Sequence, residues 1–174
     1  MPGTLPCHVA VSPAAPHERP LVEGLFQFYA YDFSEFAAPD SPDFDFDASG
    51  RFAPYAYLDS YWREEGRVPL LIRIDGRLAG FALLNRHSHR GGAIERNMAE
   101  FFVARRFRRR GVAQEALRRI LADFPGAWEI AVSERNTGAL AFWPRAIAAA
   151  GIAGVARVEG DGTQWRGPIY CFRA

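Results

Sequence analysis

Residues 99–120 read AEFFVARRFRRRGVAQEALRRI. An apolar run is followed by five arginines within six positions, one glycine, and a pattern placing Ala113, Leu117, Ile120 and Leu121 at i, i+4, i+7 and i+8. That order predicts a strand, a turn and an amphipathic helix. Backbone N–H groups at a helix start lack intrahelical partners and carry the positive end of the dipole, so a strand–turn–helix of this kind readily takes phosphate. Gly111 lets an anion approach the backbone, small Ala113 leaves the first turn uncrowded, and the arginines add planar, bidentate donors.

Working outward, the period is β-like before this stretch and alternates between strand and helix after it. VPLLIRI (68–74), Asp75-Gly76 and RLAGFALLNR (77–86) form the strongest hairpin signal in the chain. A Gly- and His-rich loop, 87–95, leads into the strand 97–105. Beyond the helix, which ends at Phe124-Pro125-Gly126, come the strand 127–133 and a helix capped by Asn136 or Thr137 that runs through 138–143. Two last strands flank Gly160-Asp161-Gly162. Upstream, Leu21, Leu25 and Phe28 recur at helical spacing with Pro20 in the first turn, 37–52 is a turn-rich loop, and 57–66 reads as a short helix. The expected architecture is a single α/β (α+β) domain over 1–174 with a mixed sheet and at least one crossover.

Composition narrows the partners. The net charge is +1, but residues 1–65 hold eleven acidic side chains against three arginines, and residues 66–174 nine against eighteen. No lysine is present, so every basic side chain is a guanidinium. The first sixteen residues lack a signal-peptide pattern, and Pro144 and Arg145 interrupt the longest apolar stretch, so a cytoplasmic protein without membrane contact is expected. Cys7 and Cys171 stand at opposite ends in no metal-ligand spacing and are expected to be reduced.

At this point the sequence resembles a known family. Arg108-x-x-Gly111-x-Ala113 after an apolar strand looks like the pyrophosphate segment of the GNAT superfamily of acetyl-CoA-dependent N-acetyltransferases. Asn136-x-x-Ala139-x-x-Phe142 is similar to the motif on that family's next helix. The resemblance covers 97–149 and implies a mostly antiparallel sheet whose two central strands splay apart to admit acetyl-CoA. Diphosphate would then sit on Arg108, Arg109, Arg110, Gly111, Val112 and Ala113, the pantetheine arm beside Phe102 and Val103, and Asn136 and Phe142 on the opposite wall.

Acetyl transfer to a primary amine needs a base for the amine and a proton for the thiolate. The resemblance makes Glu100 the base, on the strand beside the expected thioester. Many GNAT enzymes place a tyrosine after the position matching Phe142; here that residue is Trp143, whose indole N–H does not ionise near neutrality. Tyr170 or a water is the remaining acid. The acidic, aromatic N-terminal half, with Tyr29, Asp32 and Tyr61, is expected to receive the acceptor, and a cationic amine would suit it.

Two other motifs carry less. Asp43, Asp45 and Asp47 alternate like the start of a calcium loop, but the glycine and the final glutamate of such a loop are missing. His87 and His89 have no third ligand at metal spacing. No metal is expected. Two rival readings stay open: an acyl-CoA-binding protein without turnover, and a nucleic-acid binder using the arginine run with Phe107 stacking. The near-zero net charge argues against nucleic acid as a partner, and a homodimer is compatible with the sequence.

Overall fold

The computed structural model describes residues 8–38 and 41–174; residues 1–7, which include Cys7 and the first part of the segment read for a targeting signal, and Pro39 and Asp40 of the turn-rich loop lie outside them. Among the described residues seven strands form one sheet: β1 (Val9–Pro13), β2 (Val68–Ile74), β3 (Arg77–Asn85), β4 (Arg96–Val103), β5 (Ala127–Ala131), β6 (Ala156–Glu159) and β7 (Pro168–Arg173). Their order is β1-β2-β3-β4-β5-β7-β6, antiparallel everywhere except between β4 and β5. The expected hairpin is present: Asp75 and Gly76 both take positive φ, 48° and 76°, which matches the twist of a two-residue turn. β1 had no prediction; its five residues pair with β2 from Val9↔Ile74 to Pro13↔Leu70.

Three helices cover the faces: α1 (Arg19–Ser34), α2 (Val112–Asp123) and α3 (Thr137–Ala149). On one face, Leu117, Ile120, Trp143 and Ile147 from α2 and α3 pack on Leu84, Met98, Trp128 and Tyr170. On the other, α1 and a 3-10 turn over Leu58–Trp62 pack on Leu71, Phe81, Leu83 and Phe102. The expected helix over 57–66 is therefore shorter and tighter.

The buried stripe of α1 is Val22, Phe26 and Ala30, not the face expected from Leu21, Leu25 and Phe28. Leu21 is 39% and Phe28 64% exposed. The helix is apolar on more than one side, so periodicity alone does not choose a face. α3 also runs six residues past the expected end at Trp143. Pro144 removes one backbone donor, yet Ala146 and Ile147 are buried behind it and Arg145 Nε bonds the Ala141 carbonyl at 2.7 Å.

Candidate active site

β4 and β5 pair at only two positions, Arg96↔Trp128 and Asn97↔Glu129, and then part. Two hollows open in the gap, of about 920 and 740 Å³. Tyr29, Phe33, Phe101, Asn136, Ala139 and Trp143 line both.

The first hollow ends at the start of α2. Gly111 is the N-cap with φ 75°, and no side chain caps the helix. A Cβ at Gly111 would meet nothing within 4 Å, so open space faces the free N–H groups. Val112, Ala113 and Arg109 line the same hollow, and Arg109 holds the left-handed conformation at φ 59°. The Arg108 side chain is otherwise engaged: Nε donates to the Val103 carbonyl at 2.7 Å, the guanidinium pairs with Asp32, and it lies 5.6 Å over the Phe102 ring. Arg108 therefore holds the turn in shape while it lines the same hollow as Arg109 and Gly111. Arg110 is exposed and does not line the hollow.

Glu100 owes its setting to a bulge. Leu84 pairs with Met98 and Leu83 with Glu100, leaving Ala99 as the extra residue. Met98 thus turns into the α2–α3 core, while Ala99 packs on the α1 side and Glu100 meets the Tyr29 hydroxyl, which donates to its Oε2. Burial pushes the Glu100 carboxyl up from 4.5 to about 7, against the opposing pull of the Tyr29 and Tyr55 hydroxyls. Tyr29 itself is driven well above the ordinary tyrosine range by burial and the neighbouring carboxylate.

The second hollow holds Glu100 with Tyr55, Tyr57, Asn85, Asn97 and Trp165. Asn97 Nδ2 donates to Asn85 Oδ1 at 2.9 Å, and Asn85 Nδ2 reaches the Tyr61 hydroxyl at 3.3 Å. Tyr61 is buried beneath this chain and lines neither hollow, so it supports the wall from behind. Asp32 lies in the first hollow and is held by Arg105 and Arg108; it is not placed to receive a cationic acceptor. Asn136 caps α3 by accepting from Ala139 N at 2.9 Å, and Phe142 and Phe101 stack at 6.2 Å across the first hollow.

A model of the acetyltransferase (GNAT) family matches residues 29–147, more than half of the chain. The chain belongs to the GNAT acetyltransferase family. No curated protein matches it. Among solved structures it is similar to an acetyltransferase from Thermus thermophilus, at 15% identity and a TM-score of 0.66, covering 95% of this chain and 97% of that one. It is also similar to the PaiA N-acetyltransferase from Thermoplasma acidophilum in complex with coenzyme A, at 11% identity and 0.58, covering 96% and 99%. The ribosomal-protein-S18-alanine N-acetyltransferase from Escherichia coli follows at 12% and 0.51, covering 95% and 92%. These likenesses agree with the mixed, mostly antiparallel GNAT sheet, and the residues of this GNAT chain fit acetyl-CoA: an uncapped helix start, an open space at Gly111 and a free β4 edge lie along one hollow.

Tyr170 departs from expectation. Strand alternation turns it to the α2–α3 face, where it is buried in the core and lines neither hollow; sheet order, which sequence does not supply, decides this. Tyr55 and Tyr57, aromatics of the N-terminal half expected on the acceptor side, line the second hollow; the residues missed from sequence are Asn85, Asn97 and Trp165. His87 and His89, read only as an exposed loop, line the second hollow, with His89 4.6 Å from the Trp165 ring. Of the aspartates in 43–47, Asp47 spends its carboxylate on Ser49 and Arg51 within a turn.

Proposed function

We propose that this chain, as one domain over 1–174, is an N-acetyltransferase that moves the acetyl group of acetyl-CoA to a primary amine. The observation that carries this reading is Glu100: a carboxyl held near 7, beside Tyr29 and Phe101, where the two hollows adjoin. A base is most effective when its pKa lies near the working pH. The names of the similar N-acetyltransferases support an amine acceptor.

Acetyl-CoA supplies an activated acyl carbon and a thiolate leaving group. The start of α2 from Gly111 to Ala113, with Arg109, holds the diphosphate; the β4 edge at Phe102 and Val103 takes the pantetheine arm; Asn136 and Phe142 form the facing wall. Glu100 takes a proton from the amine nitrogen. Tyr29, bonded to Glu100 and lining both hollows, holds that carboxyl in position, and a water gives the departing thiolate its proton, since Trp143 stands where a tyrosine would. The use of acetyl-CoA supports a cytoplasmic site for the reaction. Among the described residues no helix is long and apolar enough to cross a membrane.

Thiol release from acetyl-CoA across a panel of primary amines tests the reading. Glu100→Gln should lower the rate about 100-fold or more while keeping the rise in melting temperature that acetyl-CoA gives the parent. An unchanged rate would remove Glu100 as the base. Trp143 favours one other reading, an acyl-CoA binder without turnover; a thermal shift with no thiol release on any amine would select it.

A further inference from the structure

Resting on the reading that Glu100 receives the amine, we infer that the second hollow is built for a primary amine that also carries a carboxylate, an amino acid with an apolar or aromatic side chain, and that Arg67 binds the carboxylate. The charges facing this hollow decide against a polycation. Its charged and titratable lining beyond the tyrosines is Glu100, Arg67, His87 and His89. Burial and the neighbouring His87 push His89 down, so it stays neutral near neutral pH. Glu100 is therefore the single carboxylate in the lining, and a second ammonium group would meet Arg67 instead of an acid.

Arg67 is held in place for this role. Its guanidinium lies 5.8 Å from the Tyr57 ring centre and 5.3 Å from that of Tyr61, and its Nε donates to Glu64 at 2.7 Å. Glu64 is 55% exposed against 23% for Arg67 and is not part of the lining. Beyond Glu64 and the Tyr61 hydroxyl, the guanidinium has further N–H donors to offer a ligand, in the fork geometry that suits a carboxylate. Tyr55, Glu100 and Arg67 line the same hollow, and Tyr55 feels both charges, the carboxylate raising it and the guanidinium lowering it.

A second observation marks the amine end. Asn97 is 1% exposed, and its Oδ1 has no hydrogen-bond partner in the structure. Buried acceptors of this kind are rarely left unpaired. Asn97 lines the same hollow as Glu100, so a ligand N–H bound there can supply the donor that Oδ1 lacks. Around the two charged groups, Phe44, Tyr57 and Trp165 offer apolar walls for a side chain, within about 740 Å³.

Calorimetric titration of the CoA-saturated protein with matched pairs tests this directly: L-phenylalanine against phenethylamine and L-leucine against isoamylamine, with spermidine as the polycation. The amino acid should bind at least tenfold more tightly than its decarboxylated partner, and spermidine most weakly. Arg67→Gln should abolish that preference, Arg67→Lys should restore part of it, and the acetyl-CoA thermal shift of both variants should match the parent, showing the fold intact. In thiol-release assays the preference should appear in KM and leave kcat nearly constant. Equal binding within the pairs, tightest binding of spermidine, no amino-acid binding at millimolar concentration, or an Arg67→Gln loss shared equally by both members of a pair would each overturn the inference. A preserved binding preference without thiol release would count against acetyl transfer and leave the carboxylate site standing; turnover of both pair members alike would do the reverse.

Discussion

A carboxyl raised from 4.5 to about 7 holds its proton more tightly in the folded chain than in the unfolded one. Stability from Glu100 is therefore fully present below about 4.5 and is lost as pH rises through about 7. At 1.36 kcal/mol per pH unit the ceiling is about 3 kcal/mol. Glu100→Gln should raise the melting temperature at pH 8 and change it little at pH 4.5; equal shifts at both would show that burial of the charge is not the cause. Catalysis runs the opposite way, since the base works only when ionised. The acid limb of kcat/KM should bend near 7 in the parent and lose that bend in Glu100→Gln. Because the Tyr29 hydroxyl pulls the carboxyl down, Tyr29→Phe should move the bend to higher pH and cut kcat more than tenfold; a bend that stays put would separate Tyr29 from the chemistry. Glu100 was legible in the sequence because it sits before Phe101 and Phe102 on a recognisable strand. Asn97 was not, since the bulge beside it leaves no periodic trace.

At the scale of elements, the two helix starts that border the cleft divide the work. α3 is capped by Asn136, whereas α2 begins on Gly111 with no capping side chain. Asn136→Ala should cost about 1 kcal/mol in denaturant unfolding. Gly111→Ala forces a β-carbon onto a left-handed residue at about 1 kcal/mol; that Cβ also intrudes on the anion space, so acetyl-CoA affinity should fall about tenfold. If Gly111→Ala lowers stability alone, the diphosphate does not sit at this turn. Both starts were legible, because glycine after a strand and asparagine before an apolar run are local signals. The buried face of α1, the continuation of α3 through Pro144 and strand β1 were not: each depends on what lies across the interface, which a single segment does not record.

At the scale of the molecule, the uneven charge of the sequence is partly cancelled by folding. Asp32 of the acidic half meets Arg105 and Arg108 of the basic half, and Glu18 meets Arg73 at 2.7 Å. The arginine run is thereby drawn into the cofactor side. Short single-stranded DNA should bind only weakly at 150 mM salt; tight binding that falls steeply with added salt would restore the nucleic-acid reading. The strand–helix–strand–helix order from β4 to α3 was readable because each boundary carries a glycine, a proline or a cap. The placement of β7 between β5 and β6 was not, and with it went the expectation for Tyr170.

The two-residue seam between β4 and β5 gives this sheet four rims where seven continuous strands would have two. The inner pair presents backbone N–H and C=O groups to water in the middle of the protein, a place where deuterium should enter as fast as at the outer strands. Amides of β4 and β5 beyond the seam should therefore label early in exchange experiments and slow markedly once coenzyme A is added. Coenzyme A would act, in effect, as a lateral neighbour along the edge that β4 presents beyond the seam.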